Sequence, residues 1–343
     1  MFTNGIKIKD IAKAANVSVA TVSLVLNNKP GVGEATRQKI LQITQSLINS
    51  TQGQFSLNEG AAKMIRFLKI IKHGHVLNRD HNVFIASYLD GLEAEARTKD
   101  YNLEVTTLET TGGTSISSAL SHPNSQGLIV LGTELTEQDM SCFEPINIPM
   151  VFIDTEYEHL PFNFVDMNNL EATHQIIKYF IDHGHTQIGL IKTAVETGNF
   201  RLREQGFFNA LQYYKIPLNH SYIFQVDSTF DGAYQNMLQL LKKKSSLPTA
   251  FFASNDIIAY GCIKALKEFG LRVPEDISII GFDDLPLSAL MDPPLTTMKI
   301  SKKRIGKIAM KLLLEKIESN ASVSSKIIIG SELVIRNSVK SLN

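Results

Sequence analysis

A small all-α headpiece followed by a larger α/β body of two lobes is the architecture that this 343-residue sequence predicts. Three observations carry that expectation. Near the N-terminus, apolar side chains recur at helical spacing in two short segments split by a turn. Beyond residue 64, short β-rich runs alternate with helical patterns, as in sheets built from right-handed crossover units. These runs number eight, more than one ordinary sheet of about six strands uses.

The headpiece elements follow in order. Ile8, Ile11 and Ala15 lie on one face of a first helix, and Ala12 and Ala14 are small enough for a second helix to cross closely. Asn16-Val17-Ser18 breaks the pattern, with Val17 as an apolar plug and Ser18 as an N-cap whose hydroxyl accepts from a backbone N–H. Val22, Val25 and Leu26 form the buried stripe of a second helix. Val19, Ala20, Ser23 and Leu24 stay on the opposite side, and Asn27 to Gly31 ends the helix. Glu34 to Leu47 reads as a third helix with Ile40, Ile43 and Leu47 inward. Two short helices joined this way form a helix-turn-helix, whose second helix enters the major groove. An ordinary three-helix bundle would show the same pattern. Charge supports the first reading without deciding it. The first 49 residues hold six basic side chains (Lys7, Lys9, Lys13, Lys29, Arg37 and Lys39) against Asp10 and Glu34, whereas the whole chain is neutral. A basic headpiece on an acidic body fits phosphate contact at one end.

Composition bounds the rest. Hydrophobic residues at 43% and charged residues at 20% are those of a soluble globular protein. No apolar run approaches the ~18–20 residues of a membrane span, and the N-terminus shows no apolar signal segment. A cytoplasmic location is therefore expected. Cys142 and Cys262 match no metal spacing and read as reduced thiols.

Residues 50–64 are polar and Gly-bearing and read as a linker between the 1–49 headpiece and the 65–343 body. Strand-like runs are Arg66–Ile71, Leu103–Leu108, Gly127–Leu131, Met150–Asp154, Ile188–Ile191, Tyr222–Val226, Ala250–Ala253 and Ile277–Phe282. Several are continuously apolar, as parallel strands covered on both faces are. Helical patterns fill 84–99, 136–143, 169–183, 201–215, 231–243, 256–269 and 301–318. Ligands bind such sheets at the carboxyl ends of strands. Those ends carry His73 to Asn82, Thr133-Glu134, Asp154-Thr155, Asp227-Ser228, Ser254-Asn255-Asp256 and Asp283-Asp284.

At this point several segments in order resemble the lactose-repressor (LacI) family of bacterial transcription regulators, over nearly the whole chain. They are IKDIAKAANVSVATVSLVLNN from Ile8, EATRQKI from Glu34, HGHTQIGLI from His183, REQGF from Arg203, SNDIIAYGCIKAL from Ser254, VPEDISIIGFDD from Val273 and PPLTT from Pro293. The resemblance implies a core like type I periplasmic sugar-binding proteins. Its first lobe would hold about 65–167 and 299–325, and its second about 168–298 and 326–343. It further implies a homodimer or dimer of dimers on a pseudo-palindromic operator, with affinity set by a small effector between the lobes. The implied DNA contacts are Ser18, Val19, Ala20, Thr21, Ser23, Leu24 and Asn27. Val19, Ala20 and Leu24 can touch thymine methyl groups but cannot bond guanine bidentately. The implied effector contacts are His75, Arg79, Asn82, Phe84, Thr133, Asp154, Arg203, Ser228, Asn255, Asp256 and Asp283. Arg203 matches the arginine of the R-x-x-G-F motif and Asp256 the acid of the N-D motif. The bland readings are a surface ion pair for Arg203 and a helix N-terminal carboxylate for Asp256.

The chain departs from the family pattern in places. The linker lacks R-P-N-x-x-A-R-x-L, leaving Phe55 or Leu57 as the minor-groove wedge. The loop from His73 to Asn82 is longer and more polar than usual, Ser228 replaces a frequent aromatic, and Asn168 replaces a frequent aspartate. His73, His75, Asp80 and His81 could ligate a metal, but no remote ligand joins them, and neither metal nor cofactor is expected. The loop's arginine and histidines point to a polyhydroxylated or acidic ligand, a sugar or sugar acid. Two other function classes remain: a stand-alone sugar-binding module without regulatory DNA binding, and a sugar-modifying enzyme. No Gly-rich phosphate loop or nucleophile elbow supports the enzyme.

Overall fold

The computed structural model describes residues 8–15, 17–18, 21–22, 25, 32–33, 36–37, 39–40 and 43, and residues 63–343 apart from 111–115, 117–124, 244–245 and 320–322. The chain divides into two compact units, Met1–Ala62 and Lys63–Asn343.

In the first unit, helix α1 runs Ile8–Ala15. The Val17 N–H closes on the Ala12 carbonyl at 3.0 Å, which turns the chain. Ser18 then caps the next helical residues: its Oγ accepts from the Thr21 N–H at 3.1 Å, and its carbonyl accepts from the Val22 N–H at 3.2 Å. Ala12, Ala15, Val22, Val25 and Ile40 form a small core, with Val17, Val32 and Ile43 packed against it. Of the two alanines expected at the helix crossing, Ala12 is in this core and Ala14 is exposed; Ala15 joins Ala12 there.

The second unit contains two six-stranded sheets. The first lobe holds β1 (Lys63–Ile71), α2 (Asn82–Ala96), β2 (Tyr101–Glu109), β3 (Gly127–Leu131), β4 (Met150–Ile153) and β5 (Asn163–Met167). The chain continues through α3 (Asn169–Asp182), β6 (Ile188–Thr193), α4 (Gly198–Tyr213), β7 (Ile223–Val226), α5 (Phe230–Lys243), β8 (Ala250–Ala253), α6 (Asp256–Glu268), β9 (Ser278–Asp283) and β10 (Thr296–Lys299). It ends in α7 (Lys302–Ser319), β11 (Lys326–Ile329) and β12 (Glu332–Val334). The sheet orders are β11-β5-β4-β3-β1-β2 and β12-β10-β9-β8-β6-β7. The two lobes therefore repeat one topology, with β4 and β9 equivalent. Among the described residues, every strand pairing is parallel except β10 with β12.

The chain passes between lobes three times: after β5, after β10 and between β11 and β12. Helix α3 leaves the first sheet to pack on α4, and α7 leaves the second to pack on α2, β3 and β4. Gly91 and Gly306 permit the α2–α7 crossing. A Cβ on Gly91 would stand 2.0 Å from the Lys303 carbonyl oxygen, and one on Gly306 would stand 2.3 Å from that of Tyr88.

Two boundaries differ from expectation, and four strands are additional to those expected. Strand β1 begins at Lys63, so the last two residues of the expected linker belong to the body. Residues 326–329, expected in the second lobe, are an edge strand of the first, because β11 pairs with β5 from Lys326↔Phe164 to Ile329↔Met167. Strands β5, β10, β11 and β12 escape the apolar-run criterion. Asp166 interrupts β5, β10 reads Thr-Thr-Met-Lys, and the other two are short edge strands.

Candidate functional site

Both sheets aim their carboxyl ends at one interlobe cleft, and the equivalent strands β4 and β9 end there in Asp154 and Asp283. Both aspartates have positive φ, 61° and 116°, which turns the chain sharply where the strand stops. Strand β3 delivers Thr133, and β8 delivers Asn255, which also caps α6 by accepting from the Ile258 N–H at 2.9 Å. Thr197 caps α4, whose first two turns present Asn199, Phe200 and Arg203 on the cleft side. Val76, Leu77, His81, Phe84 and Ile85 complete the walls.

Arg203 is the cation at the centre, 4% exposed. Its Nε donates to Asn169 Oδ1 at 2.9 Å, and its Nη1 donates to the Ser254 carbonyl at 2.7 Å. The guanidinium lies 3.7 Å from the Phe282 ring centroid, a cation–π contact. Its Nη2 stands 3.6 Å from Asp283 Oδ1, too long for a hydrogen bond but close enough for charge attraction.

Three buried carboxylates face this one guanidinium. Asp154 is fully partnered: Oδ1 accepts from Tyr88 OH and from Asn199 Nδ2, each at 3.0 Å, and Oδ2 accepts from Thr133 Oγ1. Asp166 follows on the neighbouring strand, where Ile153 pairs with Val165. One oxygen of Asp166 accepts from the Met167 N–H at 2.8 Å, and Oδ2 has no partner. Asp283 Oδ1 is likewise buried without a hydrogen bond. Burial raises the pKa of all three, and the charge of Asp154 raises Asp166 further. Asp283 is pushed up to about 7 by burial, against the pull of Arg203 and Lys302. Such a group binds its proton more tightly folded than unfolded. Its stabilising contribution is full below the ordinary value of 3.8 and is lost as pH rises through about 7. Asp283→Asn should therefore raise the melting temperature, relative to wild type, more at about pH 8 than at about pH 5. An equal difference at both pH values, by differential scanning fluorimetry, would contradict this assignment.

Of the residues expected to contact an effector, Phe84, Thr133, Asp154, Arg203, Asn255 and Asp283 come together in the cleft. Five do not line it. His75 and Arg79 are exposed because the 72–81 loop turns them outward, and Asn82 is exposed at the start of α2. Ser228 is buried, and its hydroxyl donates to the His75 carbonyl at 2.6 Å. Asp256 points into the second lobe, where Thr297 Oγ1 (2.5 Å), Ser288 Oγ (2.6 Å) and the Leu285 N–H (2.9 Å) all donate to it. It is a structural carboxylate, raised to about 6 by burial. Asn168 caps α3 by accepting from the Glu171 N–H at 3.2 Å, a role that aspartate fills equally well.

Sequence reasoning missed Val76, Leu77, His81, Ile85, Thr197, Asn199 and Phe200. A signal existed for two of them: Asn199 and Phe200 stand four and three residues before Arg203, on its helix face. Burial lowers the His81 pKa to about 4, so the ring is neutral. Among the described residues, no group of three or more His, Cys, Asp or Glu side chains could hold a metal ion.

Of the expected DNA contacts, Ser18 and Thr21 are described. Ser18 is exposed, and the two hydroxyls lie 2.8 Å apart. Val19, Ala20, Ser23, Leu24 and Asn27, and the wedge candidates Phe55 and Leu57, lie outside the described residues. No helix among the described residues is long and apolar enough to cross a membrane.

Comparison with known proteins gives matches at both ends of this architecture. Residues 7–48 match the family described as bacterial regulatory proteins, lacI family, and residues 177–339 match a periplasmic binding protein-like domain. The HTH-type transcriptional repressor PurR of Aliivibrio salmonicida is 32% identical over 343 residues, covering 98% of this chain and 99% of its own. The ribose operon repressor of Haemophilus influenzae is 31% identical, covering 97% and 98%. Among solved structures, the lac repressor dimer bound to operator and the anti-inducer ONPF superposes with a TM-score of 0.73 at 25% identity, covering 98% and 99%.

Proposed function

Since the chain belongs to the LacI family of bacterial regulatory proteins, we propose that it represses transcription from a pseudo-palindromic operator, bound as a homodimer, under control of a small polyhydroxylated effector in the interlobe cleft. The observation that carries the effector's chemistry is the cleft lining. Asp154, Asp283, Thr133, Asn199, Asn255 and Arg203 offer hydrogen-bonding edges, and Val76, Leu77, Phe84, Ile85 and Phe200 offer apolar faces. A sugar ring has that same division, hydroxyls at its rim and C–H faces above and below. Three buried carboxyl groups already face Arg203, and Lys302 faces Asp283, which leaves neither cation free for an anionic ligand. The reading is accordingly a neutral sugar or a sugar derivative without a carboxylate. The acidic alternative drew on Arg79 and His75, both of which face solvent.

On this reading the protein binds and responds but does not catalyse, and it acts where the chromosome is, in the cytoplasm. Ser18, Thr21 and Asn27 position the headpiece on phosphates, while Val19, Ala20, Ser23 and Leu24 meet the groove. Effector and operator affect each other's affinity reciprocally, by about 1–3 kcal/mol in typical linkage. The test is selection of bound fragments from sheared genomic DNA with the full-length protein at near-physiological salt, with and without a neutral-sugar panel. Enrichment of one palindrome is expected, with recovery changed by one of the sugars. Recovery of only random, salt-sensitive DNA under every condition would overturn the regulatory reading.

A further inference from the structure

The cleft as it stands has a cavity of about 30 Å³, roughly one water, whereas small-molecule sites run to about 300–1,000 Å³. What fills it is the chain's own loop. Residues 72–81 leave β1 in the first lobe and lay Val76, Leu77 and His81 into the cleft. The same loop reaches the second lobe at two points. Ser228 Oγ donates to the His75 carbonyl at 2.6 Å, and the Asn255 amide meets His81 Nε2 at 3.1 Å.

One side chain shapes this loop. Glu134, 3% exposed at the end of β3, accepts five backbone N–H bonds from it. Oε2 takes those of Lys72 (2.8 Å), His73 (3.1 Å) and Gly74 (3.1 Å). Oε1 takes those of Val76 (3.0 Å) and Leu77 (2.8 Å). A carboxylate ringed by peptide N–H groups satisfies donors that a buried irregular loop would otherwise leave unpaired. Burial works against ionising Glu134, yet these bonds hold its pKa below the ordinary value. The Asn78 side chain secures the far half of the loop, donating to the His75 carbonyl at 2.8 Å and accepting from the Asp80 N–H at 2.9 Å.

We propose that the 72–81 loop is a strap that ties the two lobes closed across the effector cleft, that Glu134 is its positioning residue, and that an effector enters by displacing it. Ser228 then serves as the second-lobe latch of the strap and not as a wall for the ligand. Effector affinity is accordingly set in part by the cost of releasing the strap, since only the opened fraction binds. This last consequence rests on the cleft being the effector site; the closure itself does not.

Hydrogen–deuterium exchange on the full-length protein tests the strap without any effector. Glu134→Gln puts an amide donor against the loop's own donors. It should speed exchange in 72–81 and, by about tenfold, in the second-lobe segments 197–203 and 254–255 that the strap covers. The last turns of α7, residues 311–319, which place Leu313 and Ile317 against Gly127 at the start of β3, the end of that strand opposite the strap, serve as the reference and should not change. Ser228→Ala removes only the latch. It should speed exchange in 197–203 and 254–255 while residues 72–77 keep their protection on Glu134. A merely local role would confine the Glu134→Gln effect to 72–81 and leave Ser228→Ala silent, and that result overturns the proposal. If Glu134→Gln does not fold, the Ser228→Ala arm decides alone. A chain whose exchange behaves as expected but whose operator binding ignores every sugar would keep the strap and refute the effector reading.

Discussion

Arg203→Ala should lower the melting temperature of the body by about 6–15 °C, with the larger loss at alkaline pH. The guanidinium acts on all three of Asp154, Asp166 and Asp283, with Lys302 beside Asp283, and it also occupies Asn169 Oδ1 and the Ser254 carbonyl. Removing one member of a buried charge group typically costs about 3–5 kcal/mol, because its partners stay behind unneutralised. Here the partners can take up protons, which softens the loss at low pH and sharpens it at high pH. Arg203→Lys keeps the charge but loses the planar fork and the stacking on Phe282, so it should fall between alanine and wild type. Thermal unfolding at about pH 5 and pH 8 checks both. A pH-independent change of a degree or two for alanine would mean the carboxylates do not depend on Arg203.

Gly91→Ala should destabilise the body by about 3 kcal/mol or more, despite adding only one methyl group. The new Cβ would stand 2.0 Å from the Lys303 carbonyl oxygen and 2.9 Å from the Lys307 nitrogen. Both are backbone atoms of α7, so no side chain can rotate out of the way and the helices must part. Tyr88, three residues earlier in α2, donates to Asp154 across this packing, and Phe84 lines the cleft one turn before it. The variant should thus lose cleft order together with stability. Urea denaturation gives the first readout, and near-ultraviolet circular dichroism of the tyrosines gives the second. A wild-type midpoint would show that the crossing tolerates a side chain.

The alternating apolar runs made the two-lobed body legible, because strands such as Gly127–Leu131 and Ala250–Ala253 are buried along their whole length. Motif order then placed Arg203, Asp154 and Asp283 at strand or helix ends that converge. What stayed hidden depends on contacts distant in sequence. His75 and Arg79 look like ligand groups by residue type, but their direction is decided by Glu134, some sixty residues away, which curls the loop around itself. Asp256 looks like a ligand acid, but its donors come from 29 to 41 residues downstream. Edge strands β11 and β12 carry too little apolar pattern to be assigned to a lobe without the pairing of β11 with β5 and of β12 with β10.

On the proposed function, a carboxylate-free sugar in the interlobe cleft sets operator affinity. The most direct test is fluorescence anisotropy of the selected operator, titrated with protein in the presence of paired ligands: each neutral sugar, its uronic acid and a purine base. One neutral sugar should shift the operator dissociation constant by about 5- to 150-fold, with its uronic acid inactive and the shift abolished in Arg203→Lys. A shift produced by the uronic acid or the purine, with every neutral sugar silent, would contradict the account.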